Sequence, residues 1–408
     1  MYEHNDQTWR KQPHLMSPET QQRIVERLAE YAEDAALEQM LVIFHGGEPL
    51  LYGPTRLAEF AQEIRRSTPH TQVDFSLQTN GILLDDACLD TLEAAEIGVS
   101  LSLDGPANSN DLHRRTPGGL STFAKVMEAL RRLQSRPGVF TGVIAMIDPS
   151  FPPAELLQFF ADLDLPALDL LLPDANYTRP PVGRDAAPDL YRDWLLQAFD
   201  QWFDHHAAMP LRTFDELLSA LVGAGGGTDA FGLGDISLLS IETDGSYHDL
   251  DVLKITKPGQ TALGVDVRNT AIRDVAILPS LDARRRLLTL AGLAATCQSC
   301  PVVDVCGGGS VPHRYSSEGF ANPTIYCREM LALIARAKER LTASVANEQH
   351  ARSARGGAEV VDLAAFELAG QSMKIVTEIL TEWRSAAGPA LRADLSPLIP
   401  RMWRRSLR

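Results

Sequence analysis

Short apolar runs alternate with helical patterns along the first 175 residues of the chain. The apolar runs have the length of buried strands and lie at 39–47, 73–81, 98–105, 138–148 and 167–173. Segments with apolar residues at helical spacing separate them, at 54–68, 84–96, 121–134 and 153–163. Such repeated strand–helix units predict a parallel sheet with helices packed outside it, either open or closed into a barrel. Ser121 is the expected N-cap of the helix at 121–134.

The pattern changes after about residue 175. Residues 238–255 are typical of a β-hairpin that turns at Asp244-Gly245. The other predicted segments are a proline-containing loop at 176–188, a helix at 190–206, a flexible glycine-rich segment at 223–235, a helix from Arg328 to about Ala346, a linker at 346–360 and a helical segment from Ala364 to about Arg384.

Composition and charge narrow the class of protein. The chain has 408 residues, of which 45% are hydrophobic and 22% charged, so it can bury a sizeable core in about two domains. A formal net charge of -15 argues against a general nucleic-acid binder. No apolar run is long enough to span a membrane, and the N-terminus has no apolar signal-peptide core. We therefore expect a cytoplasmic enzyme that acts on neither nucleic acid nor membranes.

Polar and glycine residues recur just after the predicted strands, in HGGEP, QTNG and SLDG. The carboxyl ends of parallel strands meet at one edge, where ligands bind in α/β folds. Gly46 and Gly47 let the backbone approach a ligand, the Glu48 carboxylate suits an ammonium group, and Arg114 suits a carboxylate. The edge therefore favours an amino-acid-like ligand. The alternative is a tight turn in which Glu48 is a solvated acid.

Four of the five cysteines fall in one window with the spacing C-x2-C-x5-C-x20-C: Cys297, Cys300, Cys306 and Cys327. Four thiolates at such intervals can bind Zn²⁺ or an iron–sulfur cluster, and the spacing leaves both open. The glycines at 307–309 leave backbone N–H groups for the sulfur atoms, which favours a cluster. Cys88 lies in a helical pattern and is expected to be a core residue.

HGGEPLL, LQTNG and SLDGP, together with the cysteine window, resemble the radical S-adenosylmethionine (SAM) enzymes that carry a SPASM domain. The CGGG and HRY runs and the GSYHDLDVLK stretch are most similar to the FxsB-type, cyclophane-forming peptide maturases. The resemblance covers roughly residues 1–345. It implies an α/β fold with a partial (β/α)6 barrel that lacks its first strand, followed by a small SPASM iron–sulfur domain and a helical tail.

The same resemblance implies roles for individual residues. Gly46, Gly47 and Glu48 would hold the methionine amino group of SAM, and Cys297, Cys300, Cys306 and Cys327 would bind an auxiliary [4Fe-4S] cluster. Other candidate residues of the SAM site are Pro49, Gln78, Asn80, Ser102, Asp104 and Arg114.

The sequence departs from this family in two places. The early C-x3-C-x2-C motif that binds the SAM-cleaving cluster is absent, and we expect a start placed downstream of it or a truncated chain rather than a true loss. Relatives often have a cysteine and then an acid after the hairpin, where this chain has Leu250 and Asp251. We therefore expect one auxiliary cluster. Asp251 is the candidate general base, and the alternative is an aspartate with no catalytic role.

The resemblance implies an enzyme that cross-links the side chains of a ribosomally made precursor peptide, supplied with electrons by an external donor. The alternatives are a sulfatase-maturase-like enzyme that forms formylglycine and an inactive, metal-stapled homologue that binds a peptide. The expected parts are the radical SAM barrel at 1–175, a connecting region at 176–236, the SPASM domain at 237–345, and a linker with a helical tail at 346–408.

Overall fold

The computed structural model describes residues 6–223, 230–234 and 237–354. Five strands pair in parallel in sequence order and form a curled half-barrel sheet. They are β1 (Gln39–Phe44), β2 (Gln72–Thr79), β3 (Ile97–Ser102), β4 (Phe140–Met146) and β5 (Leu168–Leu171). Each predicted apolar run thus forms one strand, which confirms the parallel α/β arrangement.

Helices connect the strands and cover one face of the sheet. They are α1 (Pro18–Asp34), α2 (Pro54–Ser67), α3 (Asp86–Ala94), α4 (Ala107–His113), α5 (Phe123–Gln134) and α6 (Pro153–Ala161). The prediction for the start of α5 was wrong by one residue, because Thr122 is the N-cap. The Ser121 hydroxyl still accepts a hydrogen bond from the backbone N–H of Phe123 at 3.2 Å.

The two faces of the sheet differ in burial. Along β2, Val73, Phe75 and Leu77 are buried in the main hydrophobic core, whereas Ser76 and Gln78 alternate with them and are only half-buried. Successive side chains of a strand point to opposite faces, so the second set lines the face away from this core. A sheet with one apolar face and one accessible, partly polar face can present side chains to a ligand.

Two further helices, α7 (Leu190–His205) and α8 (Arg212–Leu221), contribute to the core of the sheet. A single parallel bridge between Leu168 and Leu211 extends the sheet beyond β5. The long helix that begins at Cys327 ends at Ala354, so it continues past residue 346, where a linker was expected. The predicted segment from Ala364 to Arg384 lies outside the described residues.

A three-stranded antiparallel sheet follows, with β6 (Ser240–Ile241), β7 (Ser246–His248) and β8 (Ala262–Asp266). The predicted turn at Asp244-Gly245 is confirmed, since the Gly245 N–H donates to the Glu242 carbonyl at 2.9 Å and its φ is 89°. The prediction of strand out to residue 255 was wrong. Asp251–Ile255 is a 3-10 helix, in which the Leu253 N–H donates to the Leu250 carbonyl at 3.0 Å and the Thr256 N–H donates to the Leu253 carbonyl at 3.1 Å.

Four short helices complete the part of the chain before the long helix. They are α9 (Ile272–Ala276), α10 (Pro279–Leu287), α11 (Ala295–Gln298) and α12 (Val303–Cys306), and the long helix Cys327–Ala354 is α13. Within the described ranges, no helix has both the length and the apolar character that crossing a membrane requires.

Candidate functional site

Glu48 ties the loop after β1 to the end of β2. Its Oε1 accepts hydrogen bonds from the Thr79 hydroxyl at 2.8 Å and the Leu50 N–H at 3.1 Å, and its Oε2 accepts one from the Asn80 N–H at 2.9 Å. A carboxylate has about four acceptor positions, so one remains for a ligand. Gly46 has a φ of 133°, which only glycine adopts without strain, and it shapes the loop before Glu48.

Two more contacts continue along the same edge. Gln78 of β2 donates to the Ser102 hydroxyl of β3 at 3.1 Å. After β3, the buried Asp104 carboxylate accepts from Nε and Nη2 of Arg114 at 2.5 and 2.8 Å, and from the Met146 N–H of β4 at 2.9 Å. Asp104 therefore fixes the guanidinium of Arg114 and leaves its Nη1 side for a ligand.

These contacts form a continuous row from β1 to β4 at the carboxyl ends of the strands. The candidate residues brought together in it are Glu48 with Asn80, Gln78 with Ser102, and Asp104 with Arg114. Pro49 begins a 3-10 helix, Pro49–Tyr52, whose N-cap is Glu48. The donors and acceptors fit a ligand that carries both an ammonium and a carboxylate group, and the binding of SAM by these residues remains a prediction.

Asp251 lies opposite the HGGEP loop, although the two are far apart in the sequence. Its Oδ2 is 4.0 Å from Nδ1 of His45, and its Oδ1 is 2.5 Å from Nζ of Lys254. Lys254 also donates to Glu242 at 2.7 Å. Burial lowers the pKa of Lys254, but the two carboxylates outweigh burial and raise that pKa above its usual value. The hairpin region thus presents a partly exposed carboxylate to the loop that holds Glu48.

The 3-10 helix that carries Asp251 is fixed on two further sides. The Asp6 N–H donates to the Lys254 carbonyl at 3.3 Å, and the fully buried Asn176 side chain donates to the Ile255 carbonyl at 3.3 Å. Asn176 lies in the loop after β5, so the end of the barrel sheet orients the helix. These contacts position Asp251 through main-chain atoms as well as through its own side chain.

Cys297 lies in α11, Cys300 between α11 and α12, Cys306 at the end of α12 and Cys327 at the start of α13, and Cys306 interacts electrostatically with the other three. Burial and, to a smaller extent, the other three thiols of the window raise the pKa of the Cys306 thiol to about 11, although a hydrogen bond from the Gly308 N–H acts to lower it. Among the described residues, no three His, Cys, Asp or Glu side chains converge as a ready set of metal ligands. Four neighbouring thiols still suit a thiolate-bound metal or cluster, and their role as ligands remains a prediction.

Several residues with defined contacts here were not predicted from the sequence. His45 precedes the two glycines of HGGEP, and Lys254 lies three residues after Asp251, a spacing that places both on one side of a helical turn. His113 and Asp148 form a further pair, with Nε2 and Oδ2 2.8 Å apart, after α4 and β4. Lys254 could have been found from its spacing to Asp251, whereas the contacts of His45 and of the pair His113–Asp148 could not, because they join segments far apart in the sequence.

Residues 7–163 match the family model of the radical SAM superfamily, and this range covers the four strands β1 to β4 and the helices α1 to α6. With the parallel half-barrel sheet and the polar row at its edge, this match makes residues 7–163 similar to a radical SAM core. The class uses SAM together with an iron–sulfur cluster.

Curated relatives match the chain in part, and a solved structure shares its fold. The chain is 25% identical to a serine-type anaerobic sulfatase-maturating enzyme of Bacteroides thetaiotaomicron, over 52% of this chain and 54% of the relative. It is 23% identical to the radical SAM cyclopropyl synthase TigE of Paramaledivibacter caminithermalis, over 45% of this chain and 35% of the relative. The structure of native anSMEcpe with bound AdoMet and the Kp18Cys peptide has a TM-score of 0.70 at 22% identity and covers 81% of this chain and 91% of that one. The chain thus matches about half the length of the sulfatase-maturating relative, and the structural match concerns the fold.

Proposed function

We propose that this chain belongs to a radical SAM enzyme that modifies a ribosomally made peptide by joining two of its side chains. The observation that carries the proposal is the contact of Asp251 with the HGGEP loop, 4.0 Å from His45. It supports a site in which a cofactor-binding edge and a proton acceptor face the same space.

Joining two carbon atoms of a peptide removes two hydrogens, one as an atom and the other as a proton with an electron left over. When bound, SAM and the iron–sulfur clusters supply the hydrogen-abstracting 5′-deoxyadenosyl radical and the acceptor for that electron. Asp251 is the group we assign to the proton. Lys254 is paired with Oδ1 of Asp251. The proton would therefore go to Oδ2 of Asp251, which faces His45.

The cofactor residues follow from the row at the sheet edge. Glu48 has one acceptor position left for the ammonium group of SAM, and Arg114 has its Nη1 edge left for the carboxylate. Asp104 prevents Arg114 from turning away and thereby fixes the separation of the two charges. The four cysteines of the window, from Cys297 to Cys327, are the proposed ligands of an auxiliary [4Fe-4S] cluster.

Formation of formylglycine is the second candidate, because curated relatives include anaerobic sulfatase-maturating enzymes. Asp251 would serve the same purpose there, since oxidation of a serine or cysteine side chain also releases a proton. The two reactions differ in product, because formylglycine is an aldehyde and a carbon–carbon cross-link is not.

Coexpression of the complete gene, read from its genomic start, with short peptides encoded beside it tests the proposal, because the sequence of this chain has no C-x3-C-x2-C motif for the SAM-cleaving cluster. We expect a peptide that loses two hydrogens, does not react with a hydrazide probe and yields a cross-linked fragment by tandem mass spectrometry. A hydrazide-reactive peptide would instead establish formylglycine formation. Peptides that bind the chain but keep their mass, with SAM left intact under anaerobic reducing conditions, would contradict both reactions and favour the inactive homologue.

A further inference from the structure

Arg314 is the most deeply buried cation next to the cysteine window. It is 1% exposed, at the end of the 3-10 helix Val311–Arg314. Its Nε donates to the Gly309 carbonyl at 2.9 Å, its Nη2 to the Gly307 carbonyl at 2.8 Å and its Nη1 to the Leu287 carbonyl at 2.7 Å. A buried guanidinium is costly unless its donors are satisfied, and here main-chain carbonyls satisfy all three nitrogens.

The glycines on which Arg314 donates form a left-handed turn directly after Cys306. The φ angles of Gly307, Gly308 and Gly309 are 60°, 81° and 71°. A Cβ at Gly307 would lie 1.7 Å from the Gly232 carbonyl oxygen, and one at Gly308 would lie 3.2 Å from Cζ of Arg314. The turn therefore requires glycine for its backbone angles and for its close packing.

The turn has two chemically different sides. The carbonyls of Gly307 and Gly309 point to Arg314, whereas the Gly308 N–H donates to the sulfur of Cys306. The other two N–H groups of the turn donate to main-chain carbonyls, Gly307 to Val303 at 2.7 Å and Gly309 to Cys306 at 2.9 Å, so the Gly308 N–H is the one that meets the sulfur.

We propose that Arg314 is a positioning residue for the cysteine site, holding the turn 307–309 through its carbonyls so that the Gly308 N–H faces the Cys306 sulfur. This inference rests on the proposed role of the four cysteines as metal ligands. It does not depend on SAM, on the peptide or on radical chemistry.

Binding of zinc and cobalt by the purified, reduced chain tests the inference without any turnover. Arg314→Met should weaken zinc binding by about 10- to 100-fold, measured by competition with a chromophoric chelator, as loss of a group that orients metal ligands generally does. It should also lower the intensity of the sulfur-to-cobalt charge-transfer band, because fewer thiolates coordinate. Arg314→Lys keeps the charge but not the fork of donors, and its affinity should lie between those of Arg314→Met and the wild type.

Two further variants separate positioning from a general loss of stability. Arg27→Met is the matched control, because Arg27 also donates to main-chain carbonyls, of Val267 at 2.8 Å and Arg268 at 3.2 Å, but outside the cysteine window. It should lower the melting temperature and leave zinc binding unchanged. Gly308→Ala pushes the turn away from Arg314 while the charge stays, and should weaken zinc binding. Gly308→Ala also tests the inference if Arg314→Met does not fold.

The outcomes distinguish the cysteine metal site from the role of Arg314 in it. A wild-type chain that takes up neither zinc nor iron overturns both the cysteine site and the role of Arg314. A wild-type chain that binds zinc, with Arg314→Lys and Gly308→Ala binding it equally well, leaves the cysteine site standing and overturns the role of Arg314.

Discussion

Replacement of Glu48 by glutamine tests the cofactor edge most directly. In the protein, the Glu48 carboxylate accepts three hydrogen bonds, two at Oε1 and one at Oε2 from the Asn80 N–H. Glutamine can keep the two bonds at Oε1, but its amide nitrogen would then face the Asn80 N–H as a second donor. The variant also loses the negative charge that is proposed to hold the ammonium group of SAM.

The expected size of the effect follows from these contacts. A hydrogen bond to a charged group contributes about 1.5–3 kcal/mol, so the affinity for SAM should fall by about 10- to 150-fold. The free energy of unfolding should fall by about 1–3 kcal/mol, because one donor is left unsatisfied. Equilibrium dialysis with radiolabelled SAM measures the affinity, and urea denaturation measures the stability.

Thr79→Val provides the matched control. The Thr79 hydroxyl donates to Glu48 and accepts from the Gly81 N–H at 3.1 Å, so its loss should destabilise the chain by a similar amount. The carboxylate and its charge stay, and SAM binding should therefore change little. If Glu48→Gln lowered stability but bound SAM as well as Thr79→Val does, Glu48 would only hold the loop to β2 and the assignment of the ammonium site would be wrong.

Three other substitutions test the contacts around the site by urea denaturation. Asp104→Asn should cost about 2–4 kcal/mol, because it removes one charge of a buried ion pair; an unchanged midpoint would mean that the pair does not restrain the end of β3. Lys254→Met should cost about 1–3 kcal/mol, because two carboxylates lose their shared cation. Burial lowers the pKa of Lys254, but its two carboxylate partners raise that pKa overall in the folded protein. The stability difference between the wild type and Lys254→Met should therefore persist below about pH 10, the pKa of an unfolded lysine, and shrink as the pH rises through the pKa of the folded one. A stability difference that grows with pH would contradict this. Gly307→Ala should destabilise far more than Gly119→Ala, since both positions have positive φ but only the first meets a backbone oxygen, and equal losses would exclude the clash.

The sequence alone predicted the sheet and the row of residues at its edge. Strand alternation is local, and the polar residues follow the strands directly, so Glu48, Asn80 and Asp104 could be assigned to one edge before any contact was known. The hairpin turn was predicted for the same reason, because Asp244-Gly245 specifies its own geometry. The end of the hairpin was mispredicted because the 3-10 helix at 251–255 depends on contacts with distant segments, such as that of Asn176 with Ile255.

Other features could be read only from the tertiary structure. The sequence determined which residue types carry the chemistry: an acid after two glycines, an acid after the hairpin and four closely spaced cysteines. It could not determine that Asp251 lies next to His45, or that Arg314 donates to the carbonyls of the turn after Cys306, because those contacts join segments with no shared local pattern. Packing of the hairpin region against the barrel sheet decides them, and packing depends on the shapes of many side chains at once.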